Sequence, residues 1–309
     1  MARTASSFLS RDRPRTRRQR ERRRLLLFTL PWIMGFLLIH AIPMVMAFGL
    51  SLTDWVFTDA PSWRGIDHYQ TLVGDDLFWT ALRNSAYYAG VTVPGGVIIA
   101  LGLALLLNRD WAGMGMFRTI LFMPALVSGV SIAMVWGWLF NPRFGAVNSA
   151  LRRIGLEGPG WLGDPSWAMP VLISLGLWSI GGTMLIYLAG LQSIPQELYD
   201  AAKLDGAGRW AATRHVTLPM ISSVTFFLLV VGMITALQLF TPAYVLTNGG
   251  PENATLTLPL YIYQNAFTFQ KFGYGATLTV VLILLTMIIT LAQVTLARRW
   301  VFYAGWGGR

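Results

Sequence analysis

The chain contains no cysteine, only two lysines and three histidines among 309 residues. Without cysteine there are no disulfides, no thiolate chemistry and no cysteine-held metal. The two lysines, Lys203 and Lys271, are followed by Leu204 and Phe272. A Gly-Lys-Ser/Thr phosphate loop therefore cannot form, and the chain is not a P-loop ATPase. Charge is scarce as well: 12% of residues are Asp, Glu, Lys or Arg, where a soluble domain carries about 25%. No His/Asp/Glu cluster or nucleophile–base spacing is visible, which argues against a membrane enzyme.

What fills the chain instead is apolar. Hydrophobic residues make up 54% and mean hydropathy is +0.53, the composition of an integral membrane protein. Net charge is +10, concentrated in residues 1–24, where Arg11, Arg13, Arg15, Arg17, Arg18, Arg20, Arg22, Arg23 and Arg24 stand with Asp12 and Glu21. Such a run can bind nucleic acid. An apolar segment follows at once from Leu25, so the better reading is a cytoplasmic tail lying beside anionic lipid, with no nucleic-acid partner.

Six apolar segments are each long enough to cross a bilayer as a helix, at about 25–53, 85–107, 120–140, 168–191, 221–246 and 274–296. The first exceeds a signal peptide's apolar region and lacks a convincing cleavage site, so it reads as an uncleaved span, kinked at Pro31 and Pro43. His40 within it reads as a packing histidine rather than a proton relay. Gly96 and Ala100 place small residues one turn apart for close helix packing. Trp136 and Trp138 read as an interfacial belt. Residues 54–79, with the stretch up to 83, read as a solvated outer segment, because Asp54, Asp59, Asp67, Asp75 and Asp76 lack metal-ligand spacing. Residues 141–167 read as a Gly/Pro/Trp-rich loop and Thr247–Pro251 as a turn. With the N-terminus inside, the inner segments hold 18 of the 24 Lys/Arg residues. This asymmetry places 192–220 and the 298–309 tail in the cytoplasm.

The stretch from Ile194 to Pro219 has the pattern of two short helices with a bend. Pro195 suits a helix start, and Glu197 and Asp200 favour its positive end. Ala201 and Ala202 favour helix with little bulk. Gly206 and Gly208 break it, and Pro219 can open the next helix. On these signals alone a helical surface loop is an equally good reading.

The run Asp200-Ala-Ala, three residues, Gly206, nine residues, Val216-Thr-Leu218-Pro219 resembles the EAA loop of bacterial binding-protein-dependent ABC importer permeases. Asp200 stands where that family has Glu and Val216 where it has Ile, and both keep charge or shape. Trp63-Arg-Gly-Ile-Asp-His-Tyr69, Phe78–Asn84, Tyr244-Val-Leu-Thr-Asn-Gly-Gly-Pro251, Leu260-Tyr-Ile-Tyr263 and Ala266-Phe267 look like the carbohydrate-type members, such as maltose and glycerol-3-phosphate permeases. The resemblance implies an all-α, six-span type I importer permease with its transport core at 80–297. Its implied place is the cytoplasmic (inner) membrane of a bacterium, with both termini inside. Implied partners are a second permease subunit, two ATPase subunits and an extracytoplasmic solute-binding protein. No cofactor is implied for this chain, since ATP and Mg belong to the ATPase. The coupling residues it implies are Glu197, Asp200, Ala201, Ala202, Asp205, Gly206, Leu218 and Pro219.

Independently of that resemblance, no Asp, Glu, Lys or Arg lies near the middle of any proposed span, so an ion-coupled carrier would have only His40 to use. Neutral polar groups in the spans suit an uncharged solute. Trp178, Thr183, Thr235 and Gln238 are the candidates for its path, Gln238 because a buried amide has four hydrogen-bonding positions to satisfy. For single Ser or Thr residues, helix–helix contact explains their presence as well. Two rivals stand beside a carbohydrate permease: a permease for another solute class, and an ion-coupled secondary transporter.

Overall fold

The computed structural model of the chain describes residues 14–56, 60–109, 111 and 113–302, with side chains from residue 25 onward. Arg11 and Arg13 of the basic tail, Asp59 and residues 303–309 fall outside the described residues. The first helical stretch runs as α1 (Pro14–Phe36), a π-turn (Leu37–Ala41) and α2 (Ile42–Leu50). The break in regular winding is the π-turn, which carries His40, and Pro31 sits inside continuous helix. None of the apolar part of this stretch is buried by the rest of the chain. His40 is exposed and stacks on Phe36 at 6.0 Å between ring centres.

The segment at 54–83, read as a solvated loop, carries regular structure. A two-residue hairpin pairs β1 (Thr53–Asp54) with β2 (Ser62–Trp63). Arg64 bridges Asp54 at 2.8 Å, and α3 (Asp67–Val73) follows. The second span, α4 (Asp76–Leu107), starts nine residues earlier than expected at 85. The cause is Asp75, whose Oδ1 accepts the N–H groups of Leu77 and Phe78 at 3.0 and 3.3 Å, a helix cap that satisfies donors the first turn leaves free.

The third span is not one helix. α5 (Met114–Phe122), a 3₁₀ turn (Met123–Leu126) and α6 (Gly129–Leu139) are bent by 98°. Pro124 lies in the turn and supplies no amide. The loop after it contains α7 (Ala146–Arg153), tied down by Asn148, which donates to the Pro142 carbonyl at 3.0 Å. Trp136 is no belt residue: it is buried, rests 4.8 Å from Trp178 and donates to Ser174 at 3.3 Å, whereas Trp138 is exposed.

The fourth span divides into α8 (Pro165–Trp178) and α9 (Gly181–Gln192), which together still form one stretch long and apolar enough to cross a membrane. Gly181 is pressed against the backbone of Leu121 and Phe122, and any side chain there would collide with it. The segment from Gln196 to Met220 is α10 (Gln196–Leu204), α11 (Arg209–Ala212), a π-turn (Thr213–Thr217) and α12 (Leu218–Met220). The fifth span is broken: α13 (Ser222–Leu237) stops, and α14 (Thr241–Thr247) carries Pro242 in its first turn. The carbonyl of Leu239, freed at this break, accepts the Thr257 hydroxyl at 2.8 Å, which is how irregular backbone survives away from water. Next come α15 (Leu258–Tyr263), a π-turn (Gln264–Thr268) and α16 (Phe272–Ala297).

Four described helical stretches are long and apolar enough to cross a membrane, and six if each bent pair counts as one span. α4 is the axis of the packing and lies against α9 and α13. Ala100 and Ala104 on its buried stripe are fully enclosed, and Gly96 faces Ile180. Small residues let backbones approach where lipid supplies no hydrophobic drive between helices.

Candidate coupling surface and central cavity

The segment after α9 is held at its base and open at its tip. Ser222, buried at the start of α13, donates to the Pro219 carbonyl at 2.6 Å and accepts the Phe302 amide at 2.8 Å, and Ile221 beside it is 1% exposed. Tyr199 on α10 shares a hydrogen bond of 3.1 Å with Thr217 in the π-turn, so the two halves of the segment are pinned across 18 residues. Between them Gly206 takes φ +80°, the left-handed region open to glycine at no steric cost. The Ala207 amide then reaches back to the Ala202 carbonyl at 2.9 Å and closes the helix end.

No residue of α10 is buried. Glu197 lies in its first turn, and Asp200 accepts from Lys203 at 3.1 Å and from the Gln196 amide at 3.4 Å. The Lys203 hydrogen bond, with that of Gln196, holds the Asp200 carboxyl below its ordinary value. Ala201, Ala202 and Asp205 share a groove of about 340 Å³ with Leu198, Ala211 and His215. Large apolar side chains face outward around it: Leu204 is 90% exposed, Trp210 76% and Leu218 41%. Pro219 is exposed beside Leu218 in α12. The structure thus brings Ala201, Ala202 and Asp205 into one groove, sets Glu197 and Asp200 on the same helix, and leaves Leu218 and Pro219 on the neighbouring short helix.

The four path candidates do not form one site. Thr183 and Thr235 line a common cavity of about 410 Å³ between α4, α8, α9 and α13, with Tyr88, Thr92, Ser179 and Phe227. Thr92 Oγ1 is buried there beside the Tyr88 hydroxyl, outside good hydrogen-bond geometry. Gln238 stands apart, in a second groove against α16 with Thr279, Thr286 and Thr290. It is exposed at the C-terminal end of α13, so the argument from a buried amide does not hold for it. Trp178 is half exposed and packs on Trp136, away from the hydroxyl-lined cavity. Tyr88 and Thr92 were not among the candidates from sequence. Their spacing of four on a helix that also carries Gly96 and Ala100 was the available signal.

At the opposite end, a polar knot also escaped the sequence. Asp75 Oδ2 accepts the hydroxyls of Tyr261 at 2.6 Å and Tyr274 at 2.5 Å. Asn84 donates to the carbonyls of Asn253 and Leu256 at 2.8 and 3.0 Å, and Ser85 accepts the Leu258 amide at 2.8 Å. Together they tie the N-terminal end of α4 to α15, α16 and the turn after α14. Burial works to raise the Asp75 carboxyl's pKa, but the two tyrosine hydroxyls and the capping amides outweigh it and leave it lowered.

A multi-span helical body, a solute-sized, largely apolar cavity that carries five neutral hydroxyls, and an exposed two-helix segment define a membrane transport subunit. Residues 92–302 match the family described as the binding-protein-dependent transport system inner membrane component, and the chain belongs to that family. It is 36% identical to the sulfoquinovosyl glycerol transport system permease protein SmoG of Agrobacterium fabrum, over 81% of each chain. It is 38% identical to the lactose transport system permease protein LacF of Rhizobium radiobacter, over 76% of this chain and 80% of that one. Among solved structures, it is similar to a chain of a bacterial ABC transporter involved in the import of the acidic polysaccharide alginate. That match has a TM-score of 0.81 and 28% identity, and covers 92% of this chain and 99% of the other. The protein is therefore a multi-pass inner-membrane permease subunit of an ABC importer, and ATP hydrolysis falls to a separate ATPase.

Proposed function

We propose that this chain is one of two permease subunits in a carbohydrate importer, gated by ATPase subunits that dock on residues 192–220. The observation that carries this reading is the α10–α11 segment: anchored at its base by Ser222 and Ile221, and presenting Leu198, Leu204 and Trp210 to the outside. Exposed apolar side chains beside a groove mark a surface made for a protein partner. The chain itself has no phosphate-binding loop, so a motor must be supplied in trans. The excess of Lys/Arg in the inner segments supports a cytoplasmic position for 192–220 and for both termini.

In this reading, movement of the docked ATPase is passed through Gly206 and the Tyr199–Thr217 bond into α9 and α13, which flank the central cavity. That opens the cavity to one side of the membrane and then the other. The solute is a sugar, an oligosaccharide or a glycerol-phosphate-like molecule, delivered by an extracytoplasmic solute-binding protein. Relatives named for lactose and sulfoquinovosyl glycerol support that class. So does the neutral, hydroxyl-rich lining of Tyr88, Thr92, Ser179, Thr183 and Thr235, which suits hydrogen bonding to an uncharged polyol. Reconstitution with the partner permease, ATPase and binding protein tests the whole. Expected is ATP-dependent accumulation of a labelled sugar, with ATPase activity stimulated by loaded binding protein. Accumulation by this chain alone without nucleotide would overturn it.

A further inference from the structure

We propose that the groove between the turn after α4 and the outer faces of α10 and α11 binds the phosphate headgroup of an anionic membrane lipid. The groove has a volume of about 490 Å³ and is lined by Arg109, Trp111, Tyr199, Lys203 and Arg209, with small apolar Ala207 and Ala212 at its wall. Three of these residues are cations. Lys203 is shared with Asp200, whereas among the described residues neither Arg109 nor Arg209 pairs with a carboxylate. Asp110, next in the chain, lies outside the described residues. The Arg109 guanidinium sits 5.1 Å from the centre of the Trp111 ring, which holds it over an aromatic face. An arginine so fixed presents a planar donor fork to a phosphate.

Depth selects a lipid over a soluble anion. The apolar helix α4 ends at Leu107 and Asn108 closes it, so the groove opens where the span leaves the hydrocarbon. Trp111, 66% exposed at that level, is the residue type that settles at the headgroup boundary. Basic pockets beside span ends are where anionic headgroups bind. On α10 the site takes Tyr199 and Lys203, whereas the neighbouring groove takes Leu198, Ala201, Ala202 and Asp205, and the two grooves meet at Ala207 and Ala212. It lies partly within residues 192–220, so it rests on a docked ATPase taking the Ala201–Ala202 side of α10 and leaving the Tyr199–Lys203 side to the membrane. Testing the chain without its ATPase keeps the two readings distinguishable.

The full-length chain in phosphatidylcholine nanodiscs, doped with a photoactivatable phosphatidylglycerol or phosphatidylcholine probe, tests this, with labelled peptides mapped by mass spectrometry. Peptide mapping separates the groove from the arginine-rich N-terminus, which would attract anionic lipid anywhere. Expected is labelling of peptides holding 109–111 and 199–213 by the anionic probe only. In R109Q/R209Q, labelling falls about twenty-fivefold, at about fivefold per cation lost near an anionic surface. R109K/R209K keeps the charge and most of the labelling, which guards against a misfolded glutamine variant. Equal labelling by both probes, or labelling indifferent to the glutamine pair, would overturn the site. Loss of lipid labelling on adding inorganic phosphate at unchanged ionic strength would assign the groove to a soluble anion and overturn the lipid.

Discussion

The carboxylate of Asp75 accepts the Tyr261 hydroxyl at 2.6 Å across 186 residues of sequence. The same side chain caps α4 and takes the Tyr274 hydroxyl, so one half-buried acidic group holds three helix ends together. Asp75→Asn replaces a charged acceptor by an amide whose one oxygen cannot serve both the helix cap and the tyrosines. Its expected cost is about 2 kcal/mol, the scale of one hydrogen bond to a charged group, read as a lower melting temperature of the purified chain.

The same site gives a pH dependence of definite sign. The folded-state pKa of Asp75 is lowered, so its contribution is fully present above the unfolded value of about 4 and is lost as pH falls through the lower folded value. Melting curves taken down through that acid range should converge for wild type and Asp75→Asn. A gap between them that stayed constant with pH would refute the ionised state of the carboxyl.

Ser85 makes a sharper packing test. Its hydroxyl, 1% exposed, accepts the amide of Leu258 at 2.8 Å at the start of α15. Ser85→Ala leaves that buried N–H without a partner, at about 1–3 kcal/mol. Ser85→Thr retains the acceptor and should recover part of the loss. Hydrogen exchange at the Leu258 amide reports the effect locally.

These contacts join residues far apart in the sequence. The apolar lengths of the first, second, fourth and last spans could be read directly, because length and hydropathy are properties of contiguous residues. The breaks in the third and fifth spans could not. Leu126–Gly129 and Leu237–Leu239 carry no charge and only the neutral Ser128 and Gln238 among apolar neighbours, and the carbonyl freed at Leu239 is satisfied by Thr257, 18 residues away. Asp75 looked like one of five scattered carboxylates, since its tyrosine partners lie 186 and 199 positions on. The α10–α11 segment was legible for the opposite reason. Its helix start, its alanines and its bend at Gly206 are local features. Trp136 misled because a tryptophan near a span end is as easily a buried stacking partner as a belt residue.

Gly206 carries the prediction for coupling. At φ +80° it has nothing within 4 Å of where a side chain would begin, so substitution strains the backbone without a clash. Gly206→Asn, tolerated in the left-handed region, should retain transport, whereas Gly206→Val should cost about 1–2 kcal/mol or more locally. In the assembled importer the valine variant should lose sugar uptake, through weak assembly or through ATP hydrolysis no longer linked to transport. Normal uptake by Gly206→Val would count against the bend as part of the docking surface.

Thr92 separates a solute path from mere helix packing. Its hydroxyl oxygen is buried in the cavity beside the Tyr88 hydroxyl but outside good hydrogen-bond geometry with it, and a buried polar group left poorly paired costs up to about 1–3 kcal/mol. Thr92→Val, similar in shape, removes that cost, so the solute-free chain should melt at a higher temperature. If the oxygen is there to meet a sugar hydroxyl, the same variant should raise the KM for uptake several-fold, the size of one neutral hydrogen bond of about 1 kcal/mol. Thr183→Val and Thr235→Val, which line the same cavity, should move KM in the same direction, while Gln238→Ala, in the separate groove against α16, should not. A stabilised Thr92→Val that transports with unchanged KM would make the cavity a packing defect and move the path elsewhere. A rise in KM for Gln238→Ala alone would place it along α16.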